Sequence, residues 1–357
     1  MELGHTGVAG DNNRIITPKS SETNPVDFGI NLNGTDVTLT TANGTNETYV
    51  VIDLPSYSEL TLFNNNGSNA GKKATWAFVN STPWLKQDRR FESNVIMDGG
   101  SLNIVGTASP SGLSNGDVVF RGPVATDSDN EDTLFLNQTR KQGAINFNSK
   151  GGTVVVDGGV SFEASVGFSS WSTSKPGKGQ YTNTITEDTN INVTIKNGAT
   201  VSVVGDKQTD DRYIDTAYGA YLRCSEKGGS INFLLDNGKI IASGSGSNDE
   251  SGIRIDDFKG GTINITLKNG SVISSSSGSG LYFKNCAGST INVMIASDSP
   301  DDTIIGDTIT GNGYKIRVGE NDNTTVNIIV TNNNGVTKKA TISNSISSFE
   351  GLEFVEI

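Results

Sequence analysis

The chain has 357 residues, with 43 glycines, 2 cysteines and a formal net charge of −12 at pH 7. The negative charge disfavours nucleic acid or another polyanion as a partner, because its phosphates or sulfates would be repelled. Two cysteines are too few for a disulfide scaffold, and no apolar run approaches the roughly 20 residues of a membrane-spanning helix. No stretch shows apolar residues at helical spacing, so the sequence predicts an all-β protein without direct membrane insertion.

The start of the chain differs from the rest. Residues 1–26 look like a flexible lead-in, and their opening, MELGHTGVAG, has neither the basic nor the apolar region of a signal peptide. If the protein is exported, we expect its signal and any membrane anchor to lie outside this sequence. From residue 27 to residue 357 we predict a single domain.

Apolar residues alternate with polar ones through the first half of this domain, for example in YSELTLFNNNG from Tyr57 and in GGTVVVDGGVSFEASVG from Gly151. Such alternation is typical of β-strands that bury one face. Longer stretches rich in Ser, Asn, Gly and Lys interrupt the pattern, and we interpret them as loops that leave the main body. These insertions span residues 65–92, 107–132 and 166–189.

A phrase of about ten residues recurs in the second half, as NINVTIKNG, GSINFLLDNG, GGTINITLKNG and STINVMIASD. A short apolar segment precedes the phrase and another follows it, so each unit holds three short strands. The glycines that open successive units are separated by 33, 28 and 33 residues; they are Gly219, Gly252, Gly280 and Gly313. Three short strands per unit of about 30 residues predict the coils of a parallel β-helix.

Within the middle strand of each unit, alternate residues should point into the coil and stack as apolar columns. The inward positions are Ile191, Val193, Ile195, Ile231, Phe233, Leu235, Ile263, Ile265, Leu267, Ile291, Val293, Ile295, Val326, Ile328 and Val330. We expect two outward columns, an amide ladder and a half-apolar column. The ladder is Asn192, Asn232, Asn264, Asn292 and Asn327, and the half-apolar column is Thr194, Leu234, Thr266, Met294 and Ile329. Asn-Gly pairs that begin at Asn197, Asn237 and Asn269 should supply positive φ at the next corner.

From about Asn31 to Ile357 the chain resembles the passenger domains of bacterial autotransporter adhesins, in stretches such as GGTVVVDGGVSFEASVG and INVTIKNGATVSVVG. The resemblance implies a right-handed parallel β-helix that is exported to the bacterial cell surface or secreted. It also implies a role in adhesion or self-association, with a host protein, a glycan or a sister chain as the partner.

Two groups of residues are candidates for binding that partner. Aromatic side chains on long insertions could anchor a protein or stack on a sugar, or could simply pin each insertion to the coil; they are Trp76, Trp84 and Trp171. The outward columns of the middle strands are the second candidate surface. Its residues are Asn232, Leu234, Asn264, Thr266, Asn292 and Met294.

The sequence offers little for catalysis, and we predict no catalytic residue, no cofactor and no metal. The one histidine, His5, lies in the lead-in, which leaves no histidine triad. Acidic pairs at Asp210, Asp256 and Asp301 fall near turns, where Asp is favoured for backbone hydrogen bonding. The segment DSDNED from Asp127 is read as an acidic loop or as a weak calcium site.

The two cysteines, Cys224 and Cys286, should lie in the first strand of coils two steps apart. That separation is roughly 10 Å, beyond the ~7 Å that a disulfide spans, so we predict two buried thiols.

Three functions remain open on the sequence alone. The first is a rigid adhesin rod that binds through its outward columns and insertions. The second is a carbohydrate-binding or polysaccharide-degrading β-helix such as a phage tailspike, which would bring two carboxylates together on one outward face across neighbouring coils. The third is a structural spacer.

Overall fold

The computed structural model describes residues 14–16, 18–40, 51–80, 95–125, 145–147, 150–163, 166–168, 189–204, 218–223, 228–243, 250–296, 309–320 and 323–357. All regular elements among them are β-strands. In chain order these are β1 (Arg14–Ile16), β2 (Val26–Asn31), β3 (Val37–Thr40), β4 (Val51–Pro55), β5 (Ser58–Phe63), β6 (Ala74–Asn80), β7 (Val95–Asp98), β8 (Ser101–Val105), β9 (Val118–Ala125), β10 (Ile145–Phe147), β11 (Gly151–Asp157), β12 (Ser161–Glu163), β13 (Val166–Phe168), β14 (Asn190–Lys196), β15 (Thr200–Val204), β16 (Tyr218–Arg223), β17 (Ser230–Asp236), β18 (Lys239–Ser243), β19 (Ser251–Asp256), β20 (Thr262–Lys268), β21 (Val272–Ser275), β22 (Ser279–Lys284), β23 (Thr290–Ala296), β24 (Ile309–Thr310), β25 (Tyr314–Val318), β26 (Val326–Thr331), β27 (Thr337–Ile342) and β28 (Val355–Glu356).

The strands wind into a parallel β-helix, which confirms the predicted fold. Up to β26, every third strand belongs to the same sheet, and each pairs in parallel with the equivalent strand of the next coil. The first sheet runs from β1 to β25, the second from β2 to β26, and the third from β3 to β24. The second sheet then continues into β27 and β28, which pair antiparallel.

The interior is a stack of aligned apolar side chains. Ile231, Ile263 and Ile291 occupy one register position on three successive coils, and all three are fully buried. The other inward positions expected for the second sheet are buried as well. Aromatic residues of the third sheet stack in the same way, with the rings of Phe120 and Phe162 4.7 Å apart and nearly parallel. Burial of these columns is the main contribution to stability.

The recurrent sequence features have direct structural causes. Asn197, Asn237 and Asn269 adopt φ values of 54°, 54° and 56°, which confirms the left-handed corners after β14, β17 and β20. Gly219, Gly252 and Gly280 are needed because the first-sheet strand starts against a third-sheet isoleucine, whereas Gly313 has no such neighbour. A Cβ on Gly252 would lie 2.5 Å from Cγ2 of Ile273.

Several expected boundaries are wrong. Residues 14–16 form β1 and pair with β4, so the first sheet starts inside the expected lead-in. The expected insertions contain strands of the helix, namely β6 within 65–92, β9 within 107–132 and β13 within 166–189. β6 and β9 have seven and eight residues, and the polar stretches around them hid these two strands. Trp76, on β6, is 4% exposed and packs in the core, so it is not a surface anchor.

The last segment covers the final coil. β27 runs antiparallel to β26 along six residue pairs, and Ile346 forms a bridge with Ile316. Ile342 and Phe349 are buried against the core. This segment therefore pairs with the edge of β26 that would otherwise be open.

Candidate binding pocket on the first sheet

The outward face of the second sheet carries the predicted amide ladder. Each asparagine donates through Nδ2 to Oδ1 of the asparagine on the preceding coil. The four N–O distances are 3.0 Å from Asn232 to Asn192, 2.9 Å from Asn264 to Asn232, 2.9 Å from Asn292 to Asn264 and 3.1 Å from Asn327 to Asn292. The ladder is thus confirmed as a structural feature, and a role for Asn232, Asn264 and Asn292 in partner binding stays a prediction.

The neighbouring outward column is also aligned as expected. Leu234, Thr266 and Met294 are paired on successive strands and are half-buried. Their role in partner binding stays a prediction. Of the other predicted anchors, Trp84 and Trp171 lie outside the described residues.

A third outward column of the second sheet alternates in charge. Lys196 lies 3.4 Å from Asp157, and Lys268 lies 2.9 Å from Asp236. The hydrogen bond from Lys268 lowers the pKa of Asp236, burial opposes this, and a hydrogen bond from Asn269 adds to it.

The outward face of the first sheet is built differently. A column of four residues, which we call the arginine–tyrosine column, alternates Tyr221, Arg254, Tyr282 and Arg317 on β16, β19, β22 and β25. The guanidinium carbons of Arg254 and Arg317 lie 4.7 Å and 4.5 Å from the centre of the Tyr282 ring. Because β19 and β25 flank β22, the two guanidinium groups cover opposite faces of that ring.

Arg254 is held in place by an ion pair that is itself buried. Its Nε donates to Oδ1 of Asp256 at 2.9 Å and its Nη2 to Oδ2 at 2.9 Å, while Nη1 donates to the Tyr218 hydroxyl at 3.1 Å. Both charged residues are 5% exposed. Burial lowers the pKa of Arg254, but the hydrogen bond with Asp256 and the charges of Tyr218, Asp256 and Tyr221 together outweigh burial, so the pKa is raised.

This arrangement corrects the expectation for the acidic pair at Asp256. Asp256 is not a solvated turn residue, because it faces the outer side of β19 and also accepts a hydrogen bond from the Tyr221 hydroxyl at 3.2 Å. Its neighbour Asp257 does lie in a turn, with φ of 60°. The adjacent carboxylates therefore occupy different environments, as period-two geometry requires.

A pocket of about 530 Å³ lies at the Arg317 end of the arginine–tyrosine column, beside the turns that follow β19, β22 and β25. Its lining residues are Asp257, Tyr282, Lys284, Asn285, Arg317, Gly319 and Glu320. Lys284 and Glu320 are exposed, and Asn285 donates through Nδ2 to Oδ1 of Asp257 at 2.7 Å. The pocket thus joins two cations, two carboxylates and an amide across three successive coils.

Sequence reasoning missed this pocket, although part of a signal was present. The residue two positions after the opening glycine is Tyr221, Arg254 and Tyr282 in three successive units. The same rule would select Lys315 in the next unit, whereas the register pairs Tyr282 with Arg317. A change in spacing within that unit hid the end of the column.

Two further buried groups have structural partners. Glu250 is fully buried and accepts hydrogen bonds from Ser275, Ser276 and Ser277, including 2.7 Å from the Ser276 backbone N–H. Cys286 is buried as expected, and its thiol donates to the carbonyl oxygens of Ile255 and Lys284. It lies in the turn after β22, however, and not within the first strand.

The remaining predicted features cannot be placed, because Cys224, His5, Asp127, Asp210 and Asp301 lie outside the described residues. Within the described part of the chain, no three His, Cys, Asp or Glu residues are grouped as metal ligands. The same residues contain no helix long and apolar enough to cross a membrane.

No protein-family model, curated protein or solved structure matches this chain. The pocket therefore has to be interpreted from its own geometry and chemistry.

Proposed function

We propose that the chain is the rigid binding rod of a bacterial cell-surface or secreted adhesin. In this proposal the pocket beside the arginine–tyrosine column contacts a host molecule. The observation that carries it is the convergence of Lys284, Arg317, Asp257 and Glu320 in one concave site of about 530 Å³. Pockets of this size that hold a few convergent polar groups are the usual form of a ligand site.

The scaffold suits such a task. Tyr282 and Arg317 lie on paired strands, and the buried Arg254–Asp256 ion pair supports the opposite face of the Tyr282 ring. Side chains fixed in this way lose little freedom when a ligand binds. A spacer would gain nothing from a charged pocket that interrupts an otherwise repetitive surface.

The test is attachment of beads coated with the purified chain to cultured epithelial cells. The double variant Lys284→Met/Glu320→Gln should reduce the number of attached beads at least about tenfold, since it removes two charged hydrogen-bonding groups from the pocket. Both residues are exposed, so the variant should fold normally.

A matched double variant outside the pocket, Lys239→Met/Glu353→Gln, removes the same charges from exposed positions on the third sheet and in the final segment. It should leave attachment unchanged. Equal attachment by wild-type and pocket-variant beads would contradict the proposal. Clumping of the beads with each other, lost only when the second-sheet face is altered, would instead support self-association.

One observation favours a second candidate, a polysaccharide-degrading rod. Asp257 and Glu320 line the same pocket and follow β19 and β25, which are two coils apart. Two coil spacings are roughly 10 Å, close to the ~6.5–9.5 Å between the carboxyl groups of inverting glycosidases. However, Glu320 is exposed, and the pocket is lined by Lys284 and Arg317 as well as by the two carboxylates, so the two acidic groups do not form an enclosed site of their own. Binding without cleavage is therefore the better supported function.

The two candidates are separated by incubating the chain with bacterial and plant polysaccharides and measuring new reducing ends. We expect no increase over buffer. Release of reducing ends by the wild type, abolished in both Asp257→Asn and Glu320→Gln, would establish the second candidate instead.

A further inference from the structure

We propose that the pocket binds an uncharged sugar through its hydroxyl groups; this inference rests on the pocket being the ligand site proposed above. The first argument is charge balance. The charges of Lys284 and Arg317 cancel those of Asp257 and Glu320, while the whole chain carries −12. An anionic ligand would meet two carboxylates and a repulsive overall field, and a cationic ligand would meet the two cations.

The second argument is the mixture of donors and acceptors. The Lys284 ammonium group and the Arg317 guanidinium group only donate hydrogen bonds, the carboxylates of Asp257 and Glu320 only accept them, and the Asn285 amide does both. A sugar hydroxyl is both a donor and an acceptor. Neighbouring hydroxyls on one ring can therefore bridge a cation and a carboxylate, so that each charged side chain keeps a partner.

The third argument concerns the aromatic ring. Tyr282 lines the pocket, but its two faces are covered by the guanidinium groups of Arg254 and Arg317 at 4.7 Å and 4.5 Å. No open ring face is left there for stacking with a nucleobase or another aromatic ligand. Recognition through Tyr282 is restricted to its edge and hydroxyl, which favours a polar, saturated ligand.

The dimensions agree with this class. The pocket extends over β19, β22 and β25, which is roughly 10 Å along the rod axis, and its volume is about 530 Å³. This is space for one or two sugar rings.

The experiment is isothermal titration calorimetry with gluco-, manno- and galacto-oligosaccharides, and with the same panel oxidised at C6 to carboxylates. At least one neutral member should bind, and its affinity should change less than about twofold between about 50 mM and about 500 mM salt, because no net charge is neutralised. The oxidised counterpart should bind at least about tenfold more weakly.

The variants Lys284→Met and Glu320→Gln should each weaken binding of the neutral sugar about tenfold, and the matched variants Lys239→Met and Glu353→Gln should not. Preference for the oxidised panel, with affinity falling as salt rises, would overturn the proposal of an uncharged sugar while leaving the pocket as the binding site. If no sugar binds but cell attachment still depends on Lys284 and Glu320, the proposal of an uncharged sugar is overturned as well. If the pocket variants alter neither sugar binding nor attachment, both proposals fail.

Discussion

The outer faces of the first and second sheets use the same coil spacing in opposite ways. On the second sheet one residue type is repeated, and each asparagine bonds to the next at 2.9–3.1 Å. On the first sheet tyrosine and arginine alternate, so that a guanidinium group lies on each side of the Tyr282 ring. The repeated ladder makes similar contacts at every coil from β14 to β26, whereas the alternating column fixes individual side chains at one place on the rod.

The comparison shows where a repetitive fold can acquire a specific site. A uniform column joins neighbouring coils but distinguishes none of them. An alternating column creates a position with its own charges, and here a pocket opens beside the end of that column. The same difference predicts that single substitutions will have unequal effects on the two faces.

The largest effect is expected for Arg254→Met. The substitution leaves the Asp256 carboxylate buried without the guanidinium group that it contacts at 2.9 Å, and breaking such a buried pair costs about 3–5 kcal/mol. The measurement is urea-induced unfolding followed by circular dichroism. We expect a lower midpoint for this variant than for any single change in the asparagine ladder.

The control is the double variant Arg254→Met/Asp256→Leu, in which neither charge remains buried. It should recover most of the stability lost in the single variant, since replacing both members of a buried ion pair by apolar groups is often nearly neutral. If the double variant is less stable than Arg254→Met, the column is held mainly by other contacts of Asp256, such as that with Tyr221.

A smaller effect is expected within the asparagine ladder, and it should depend on position. Asn264→Thr removes two amide hydrogen bonds, one to Asn232 and one from Asn292, whereas Asn192→Thr removes the one from Asn232. At about 0.5–1.5 kcal/mol for each bond, the first variant should lose about twice the stability of the second. Thr is a suitable replacement because Thr153 occupies the same column next to Asn192. Equal losses in unfolding experiments would show that the ladder does not act bond by bond.

The repetitive part of the structure could be predicted from the sequence because identical positions recur. The inward residues of β14, β17, β20 and β23, the asparagine ladder and the left-handed corners follow from period-two alternation and from Asn-Gly pairs. The strands in less regular stretches could not be predicted in this way. β6 and β9 lie between stretches of polar composition that favour insertions, and Trp76 is a candidate anchor or pin only while β6 is assigned to such an insertion.

The pocket could not be predicted because its lining combines residues that are distant in sequence and differ from coil to coil. Asp257, Lys284 and Glu320 come from three units, and no motif connects them. Their proximity depends on the register between β19, β22 and β25, including the changed spacing in the last of these units. The burial of Asp256 likewise depends on Arg254, which lies two residues earlier on the same face of β19, and on Tyr221, which only the register brings beside it.

The smallest effect concerns acid sensitivity of the charged column on the second sheet. The hydrogen bond from Lys268 lowers the folded-state pKa of Asp236. The unfolded chain therefore binds a proton at Asp236 more readily than the folded chain does. The resulting stability is present above the ordinary aspartate pKa of about 3.9 and is lost as the pH falls through the lowered value. Because the pair is partly exposed, Asp236→Asn should reduce stability by no more than about 1 kcal/mol at pH 7. The difference between variant and wild type should disappear in urea unfolding well below pH 4, whereas a difference that persisted there would assign the effect to packing and not to charge.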